Sequence, residues 1–117
     1  MTTTPDEFEL ISLEELKRHK TKAFEFRHPK FGLHEIGVFW DGETVQALEN
    51  SCPHLFGSLV DGLVRVGEVS CPLHGAMFDL ATGRCTDSYT IDTTAYAVEV
   101  RNGMVWVLAP GETRNMK

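Results

Sequence analysis

Residues 52–62 read CPHLFGSLVDG and residues 71–83 read CPLHGAMFDLATG. Each stretch opens on a cysteine followed by proline and offers a histidine two or three residues on: Cys52 with His54, Cys71 with His74. Such a close pair can reach one metal centre because the backbone folds back around it. The proline after each cysteine restricts the turn, and Gly75 lets the backbone approach with no side chain in the way. Sixteen residues separate His54 from Cys71, so two loops would converge to supply four ligands of mixed softness. That donor set suits a zinc ion as well as a two-iron cluster. A small zinc finger usually keeps both cysteines in one pair and both histidines in the other, whereas here each loop carries one of each. With two irons bridged by sulfide, Cys52 and Cys71 can bind one iron while His54 and His74 bind the other.

Outward from this middle, the chain reads as short strands. His34–Trp40 and Glu43–Leu48 flank Asp41-Gly42, a dipeptide that favours a tight hairpin turn. Tyr96, Val98 and Val100 alternate with smaller or polar residues, the period of a half-buried strand. Asn102-Gly103 makes a second tight turn, and Met104 to Leu108 returns. Two hairpins on either side of the ligand-bearing middle predict a β base with an inserted lobe from about Asn50 to Thr82. The lobe's glycines (Gly57, Gly62, Gly67, Gly75) point to loops more than to regular sheet. Near the start, Ser12-Leu13-Glu14-Glu15 has the capping-box form and predicts a short helix to about His19. Lys17, Arg18, Lys20 and Lys22 then form a solvated basic end that suits the helix dipole.

The remaining residues take plainer readings. Trp40 and Trp106 are expected in the core, and Cys85 as a buried small hydrophobe. His19, His28 and His34 are expected as surface or strand residues. Asp6, Glu7, Glu9, Glu14 and Glu15 are expected as a solvated face.

A length of 117 residues suits one domain, taken as 1–117, and leaves no room for a large catalytic domain. The net charge of −6 argues against nucleic acid or an anionic membrane as partner, since phosphate binding runs on Lys and Arg. MTTTPDEFEL has no basic start followed by an apolar run, so no signal peptide is expected. The longest apolar stretch, Met104 to Pro110, is too short to span a bilayer. A cytoplasmic location follows as the expectation. Three cysteines, an odd count, weigh against a disulfide framework and for a metal site.

The two loops resemble the Rieske family, most closely the soluble ferredoxins of bacterial ring-hydroxylating oxygenase systems, which share the Ser58-Leu59-x-x-Gly62 run. The resemblance implies an all-β Rieske fold: an antiparallel β-sandwich base, an inserted cluster-binding lobe and one short N-terminal helix, arranged as three stacked sheets. It implies one [2Fe-2S] cluster at the lobe tip held by Cys52, His54, Cys71 and His74, the histidines binding through Nδ1. It implies a monomeric electron carrier with no catalytic residues of its own, serving a flavin-dependent reductase and a terminal oxygenase in aromatic hydrocarbon catabolism. The alternative is a Rieske-like small subunit of a larger oxidoreductase, such as assimilatory nitrite reductase.

Two departures from the respiratory members of the family bear on redox class. Their loops carry an extra, disulfide-joined cysteine pair, and the corresponding positions here are Gly57 and Leu73. Their Ser and Tyr hydroxyls, which donate to the cluster, correspond to Ala76 and Phe78. Neutral histidine ligands put such a cluster in a range of about −150 to +300 mV. Without the hydroxyl donors, this one is expected near the low end.

Overall fold

The apolar run Ile36-Gly37-Val38-Phe39 sets the architecture, because a strand apolar at consecutive positions must be covered on both faces. In the computed structural model, which describes residues 6–53, 57–73, 75–87 and 90–114, that run lies in the longest strand, and all four residues are buried. The elements in chain order are β1 (Glu7–Ser12), α1 (Leu13–His19), β2 (Thr21–His28), β3 (Gly32–Trp40) and β4 (Val45–Glu49). A single 3-10 turn (Leu59–Asp61) follows, then β5 (Leu63–Arg65), β6 (Glu68–Ser70), β7 (Met77–Asp79), β8 (Ala95–Arg101), β9 (Met104–Leu108) and β10 (Thr113–Arg114). Every strand pair is antiparallel.

Seven strands form one sheet in the order β1-β9-β8-β4-β3-β2-β10, and β5-β6-β7 form a second. The large sheet folds over at the short β4–β8 junction, where only Ala47↔Tyr96 and Leu48↔Ala95 pair. Its two halves enclose the base core: Ile11, Val105 and Val107 from one side, Phe24, Phe26, Ile36 and Val38 from the other, and Leu16 of α1. The three stacked sheets of the resemblance are thus two halves of one folded sheet plus the lobe's sheet. The helix begins as its sequence demands, with Ser12 Oγ accepting the Glu15 N–H at 3.1 Å, a cap contributing about 1 kcal/mol.

Side chains alternate across a strand, so β3 and β4 face two cores at once. Ile36, Val38 and Ala47 point into the base, while Phe39 and Leu48 belong to the lobe's core. Val60 of the 3-10 turn lies against the bare backbone of Gly37, where any Cβ would stand 2.7 Å from its Cγ1. Polar staples complete the attachment. Asp41 Oδ2 accepts the Gly67 N–H at 2.8 Å. Asn50 Oδ1 accepts the Val60 N–H at 2.8 Å while its Nδ2 donates to Glu35 at 2.9 Å. Thr21 Oγ1 donates to the Val60 carbonyl at 2.9 Å.

Several expectations change. The lobe contains regular sheet, not loops alone: β5, β6 and β7 are only three residues each, too short to show a period, and the glycines that suggested loops fall outside them. The β3–β4 turn spans four residues, since Trp40 pairs with Val45; Asp41 Oδ1 accepts the N–H groups of Glu43 and Thr44 at 2.8 Å each and so organises a wider turn. Asn102-Gly103 is the expected two-residue turn, with φ of +50° and +79° between paired Arg101 and Met104. Val100 is 45% exposed. Trp40 and Trp106 are half-buried rather than core, each lying under a cation: Lys17 Nζ at 4.7 Å and the Arg101 guanidinium at 4.9 Å. Arg101 also pairs with Glu7 at 2.8 Å, so neither Lys17 nor Glu7 is simply solvated. Near the other edge, the Ala109 N–H donates to the Asp6 carbonyl at 2.9 Å and the Gly111 N–H to the Asp6 carboxylate.

Candidate metal centre

Cys52 and Cys71 are 1% and 3% exposed and sit in the lobe's own core with Phe39, Leu59, Phe78 and Leu80. Each opens a loop closed in the same way. The Cys52 N–H donates to the Gly57 carbonyl at 2.8 Å and the Cys71 N–H to the Ala76 carbonyl at 2.7 Å, five residues on in each case. In the second loop the Gly75 N–H also donates to the Cys71 carbonyl at 2.9 Å. Two loops with one closure present their cysteines equivalently, as two ligand pairs around one centre require.

The loops also abut. A Cβ built on Gly57 would stand 2.9 Å from Leu73 Cδ1 and 3.4 Å from Cys71 Sγ. Glycine here lets the Leu73 side chain close over the first loop beside the second cysteine's sulfur. The same contact explains the departure from the respiratory proteins: the two positions that would carry the extra disulfide do meet, filled by leucine over glycine. None of the three cysteines is in a disulfide. His54 and His74 lie outside the described residues, as do Leu55 and Phe56. Ala76 and Phe78 are buried at 1% and 0% exposure, so these positions offer the site no hydroxyl.

Cys85 is not the apolar filler expected of it. It is half-buried, and its Sγ donates to Asp87 Oδ1 at 3.1 Å. The sequence reading also passed over a polar network beside the lobe's root. His34 Nδ1 meets Glu49 Oε1 at 2.7 Å, its Nε2 meets the Glu112 carboxylate, and Tyr96 Oη donates to Glu49 at 2.8 Å. Burial alone would lower the His34 pKa, but the two carboxylates on its two ring nitrogens outweigh it and hold the pKa above its ordinary value. Burial and the bond to Glu49 push the Tyr96 phenol far up, so it stays protonated. The partners of His34 are 15 and 78 residues away in sequence, so only the strand pairing could have revealed them.

A matched pair of cysteine loops, on a small antiparallel lobe over a β-sandwich, places this chain among β domains that carry a metal centre. Comparison narrows the class. The chain belongs to the Rieske [2Fe-2S] family, matching the Rieske [2Fe-2S] domain over residues 7–99. It is 32% identical over 91 residues to the ferredoxin component of the 2,4-dinitrotoluene dioxygenase system of Burkholderia sp. strain RASC, covering 76% of this chain and 82% of that protein. It is 31% identical over 86 residues to apoptosis-inducing factor 3 of Homo sapiens, covering 73% of this chain but only 14% of that longer protein. Among solved structures it resembles the ferredoxin of carbazole 1,9a-dioxygenase from Nocardioides aromaticivorans IC177, with 29% identity, a TM-score of 0.73, and 90% and 98% of the two chains covered.

The family's cofactor is a single [2Fe-2S] cluster. The donor chemistry fits it: two buried thiols on adjoining, alike loops suit the thiolate side of such a cluster. Among the described residues, no helix is long and apolar enough to cross a membrane.

Proposed function

We propose that this chain carries single electrons from a flavin-dependent NAD(P)H reductase to a terminal oxygenase, holding its cluster through Cys52, His54, Cys71 and His74. In this reading residues 1–117 form one cytoplasmic domain, monomeric alone, whose lobe (about 50–82) carries the cluster and whose partners bind transiently. It has no catalytic residue of its own. The observation that carries the reading is the pair of identical loop closures at Cys52 and Cys71, with both cysteines sunk in an apolar core. The relative from the dinitrotoluene system, matched over most of its length, is itself named a ferredoxin component.

Bound there, the cluster would supply one-electron redox chemistry. The chain's part is to bind, exclude water and set the potential. Phe39, Leu59 and Phe78 keep water from the cysteines. Neutral imidazole ligands raise the potential relative to four thiolates, and the missing hydroxyls at Ala76 and Phe78 hold it low within that range. A low potential suits accepting electrons from a flavin and not from a quinol.

The test is direct. The purified protein should hold about two irons and two acid-labile sulfides per chain. It should be reduced by a flavin reductase of a dioxygenase system and reoxidised by the matching oxygenase. His54→Ala and His74→Ala should each abolish the reduced-state EPR signal. Protein purified in air with one zinc and no iron would falsify the cluster assignment. Iron-loaded protein that exchanges electrons with neither partner would overturn the carrier role alone.

A further inference from the structure

A cavity of about 410 Å³ opens beside the lobe's root, where β4 leaves the base at Glu49 three residues before Cys52. His28, Phe31, His34, Glu49, Tyr96 and Glu112 are among the residues lining it. Its polar wall is acidic. A carboxylate faces each ring nitrogen of His34, so two carboxylates against at most one cation leave a net negative charge. Glu49 Oε2 has no hydrogen bond among the described residues, and the Glu49 side chain is 24% exposed. A carboxylate oxygen with open acceptor sites at a cavity wall can still receive a donor.

The cavity's lining is also aromatic. Phe31 is 80% exposed, and its turn is organised by His28. His28 Nδ1 accepts the N–H groups of Lys30 and Phe31 at 3.0 and 3.1 Å, locking the turn. The His28 ring then stacks on Phe31 at 4.5 Å between centroids with 26° between planes. An exposed ring stacked on its neighbour presents contact area with less ordering entropy left to lose on binding. Lys30, the cation of that turn, is exposed and does not line the cavity.

An open carboxylate oxygen and an exposed aromatic ring lining one cavity match a guanidinium, which stacks on aromatic rings and donates in its plane to carboxylates. We infer that this cavity is a docking socket for an arginine side chain of a protein partner, stacked on Phe31 and paired with Glu49. The partner's identity as an electron-transfer protein rests on the proposed function. The chain's net charge of −6 favours a partner basic at its contact face, and the socket's place at the root of the lobe would let a partner grip the base while facing the cluster loops.

The test uses the 15N-labelled, cluster-loaded protein titrated with N-acetyl-arginine methylamide, its neutral citrulline analogue, and free ethylguanidinium. Saturable amide shifts at residues 28–33, 94–96 and 111–113 with the arginine derivative, and none with the citrulline one, support the socket. Phe31→Ala should weaken that binding at least threefold and Glu49→Gln at least tenfold, with the visible spectrum unchanged. Should Glu49→Gln disturb the His34 network, Phe31→Ala still decides, since its ring is mostly in solvent. The arginine derivative should also slow electron exchange with the partner that uses the face. Non-saturating shifts, shifts scattered over the protein, or equal shifts from citrulline overturn the socket. Binding of ethylguanidinium alone, or arginine binding that leaves electron exchange with both partners unchanged, overturns the protein partner. The amide shifts do not depend on redox activity, so failure of the carrier role and failure of the socket are read separately.

Discussion

The base and the lobe share two strands and little else in how they hold together. The base core draws Ile11, Leu16, Phe24, Phe26, Ile36, Val38, Val105 and Val107 from four strands and a helix, all of strictly apolar type. The lobe core is smaller, and two of its nine buried residues are the cysteines that form its site. Its strands are three residues each, below what an isolated sheet needs to be stable. The lobe is instead tied to the base by Asp41 and Thr21, and by Asn50 at the junction, which reaches both Val60 and Glu35. A fold can thus separate its stabilising part from its working part, provided that one strand pair serves both.

The largest test of that division is removal of the metal. Iron stripped from the reduced protein by a chelator should cost the amides of Val69, Cys71 and Phe78 roughly a hundredfold or more in exchange protection, because metal binding here is part of lobe folding. Val38 and Val107 in the base should change by only about threefold. Equal loss in both regions would show one cooperative unit and break the comparison.

Asp41→Ala comes next. It removes the acceptor for Gly67 and the organiser of the β3–β4 turn, and should destabilise by about 2 kcal/mol, seen in a urea midpoint and in faster exchange at Gly67. Burial alone would raise the Asp41 pKa, but the N–H groups of Thr44, Glu43 and Gly67 together hold it below the ordinary value. Its contribution is therefore complete above the ordinary carboxylate pKa and is lost as pH falls through the lowered one. A wild-type and variant gap that stays constant down to pH 2 would contradict this attribution.

How much of this was legible in the chain depends on distance along it. Local signals read well: the Ser12 cap, the Asn102-Gly103 turn, and the strands at His34–Trp40 and Met104–Leu108. The candidate loops at Cys52 and Cys71 were legible from spacing. Three-residue strands were not, since a period of two needs more residues to show. Nor were β1 and β2, whose mixed sequences become strands only against β9 and β3. The His34 network was invisible for the same reason, because its members meet through pairing and not through proximity in sequence.

That network supplies a smaller test on the base side. The His34 pKa is raised in the folded state, so its contribution is complete below the ordinary histidine value of about 6.5 and is lost as pH rises through the raised one. Thermal stability of the wild type should decline as pH rises above that ordinary value, and that of His34→Gln should not. A wild type as flat as the variant would remove His34 from the account.

The smallest expected effect lies in the lobe. Ala76→Ser would place a hydroxyl where none exists. If its hydrogen bond favours the reduced cluster by about 1 kcal/mol, the potential should rise by about 40 mV, at 59 mV per tenfold for one electron. An unchanged potential would mean that this buried position does not face the cluster.

Asp6 holds both Ala109 and Gly111, and Arg114 reaches the Glu9 carbonyl at 3.1 Å, so the first and last described segments run side by side at the sheet's rim. A unit whose ends are neighbours can be spliced between other domains without being stretched, and its ends can be joined and reopened elsewhere. The exposed Asn102-Gly103 turn, far from the cysteine loops in sequence, is the natural place to reopen it. The same adjacency makes the domain portable, in keeping with a match that fills a ferredoxin component in one relative and 14% of a longer protein in another.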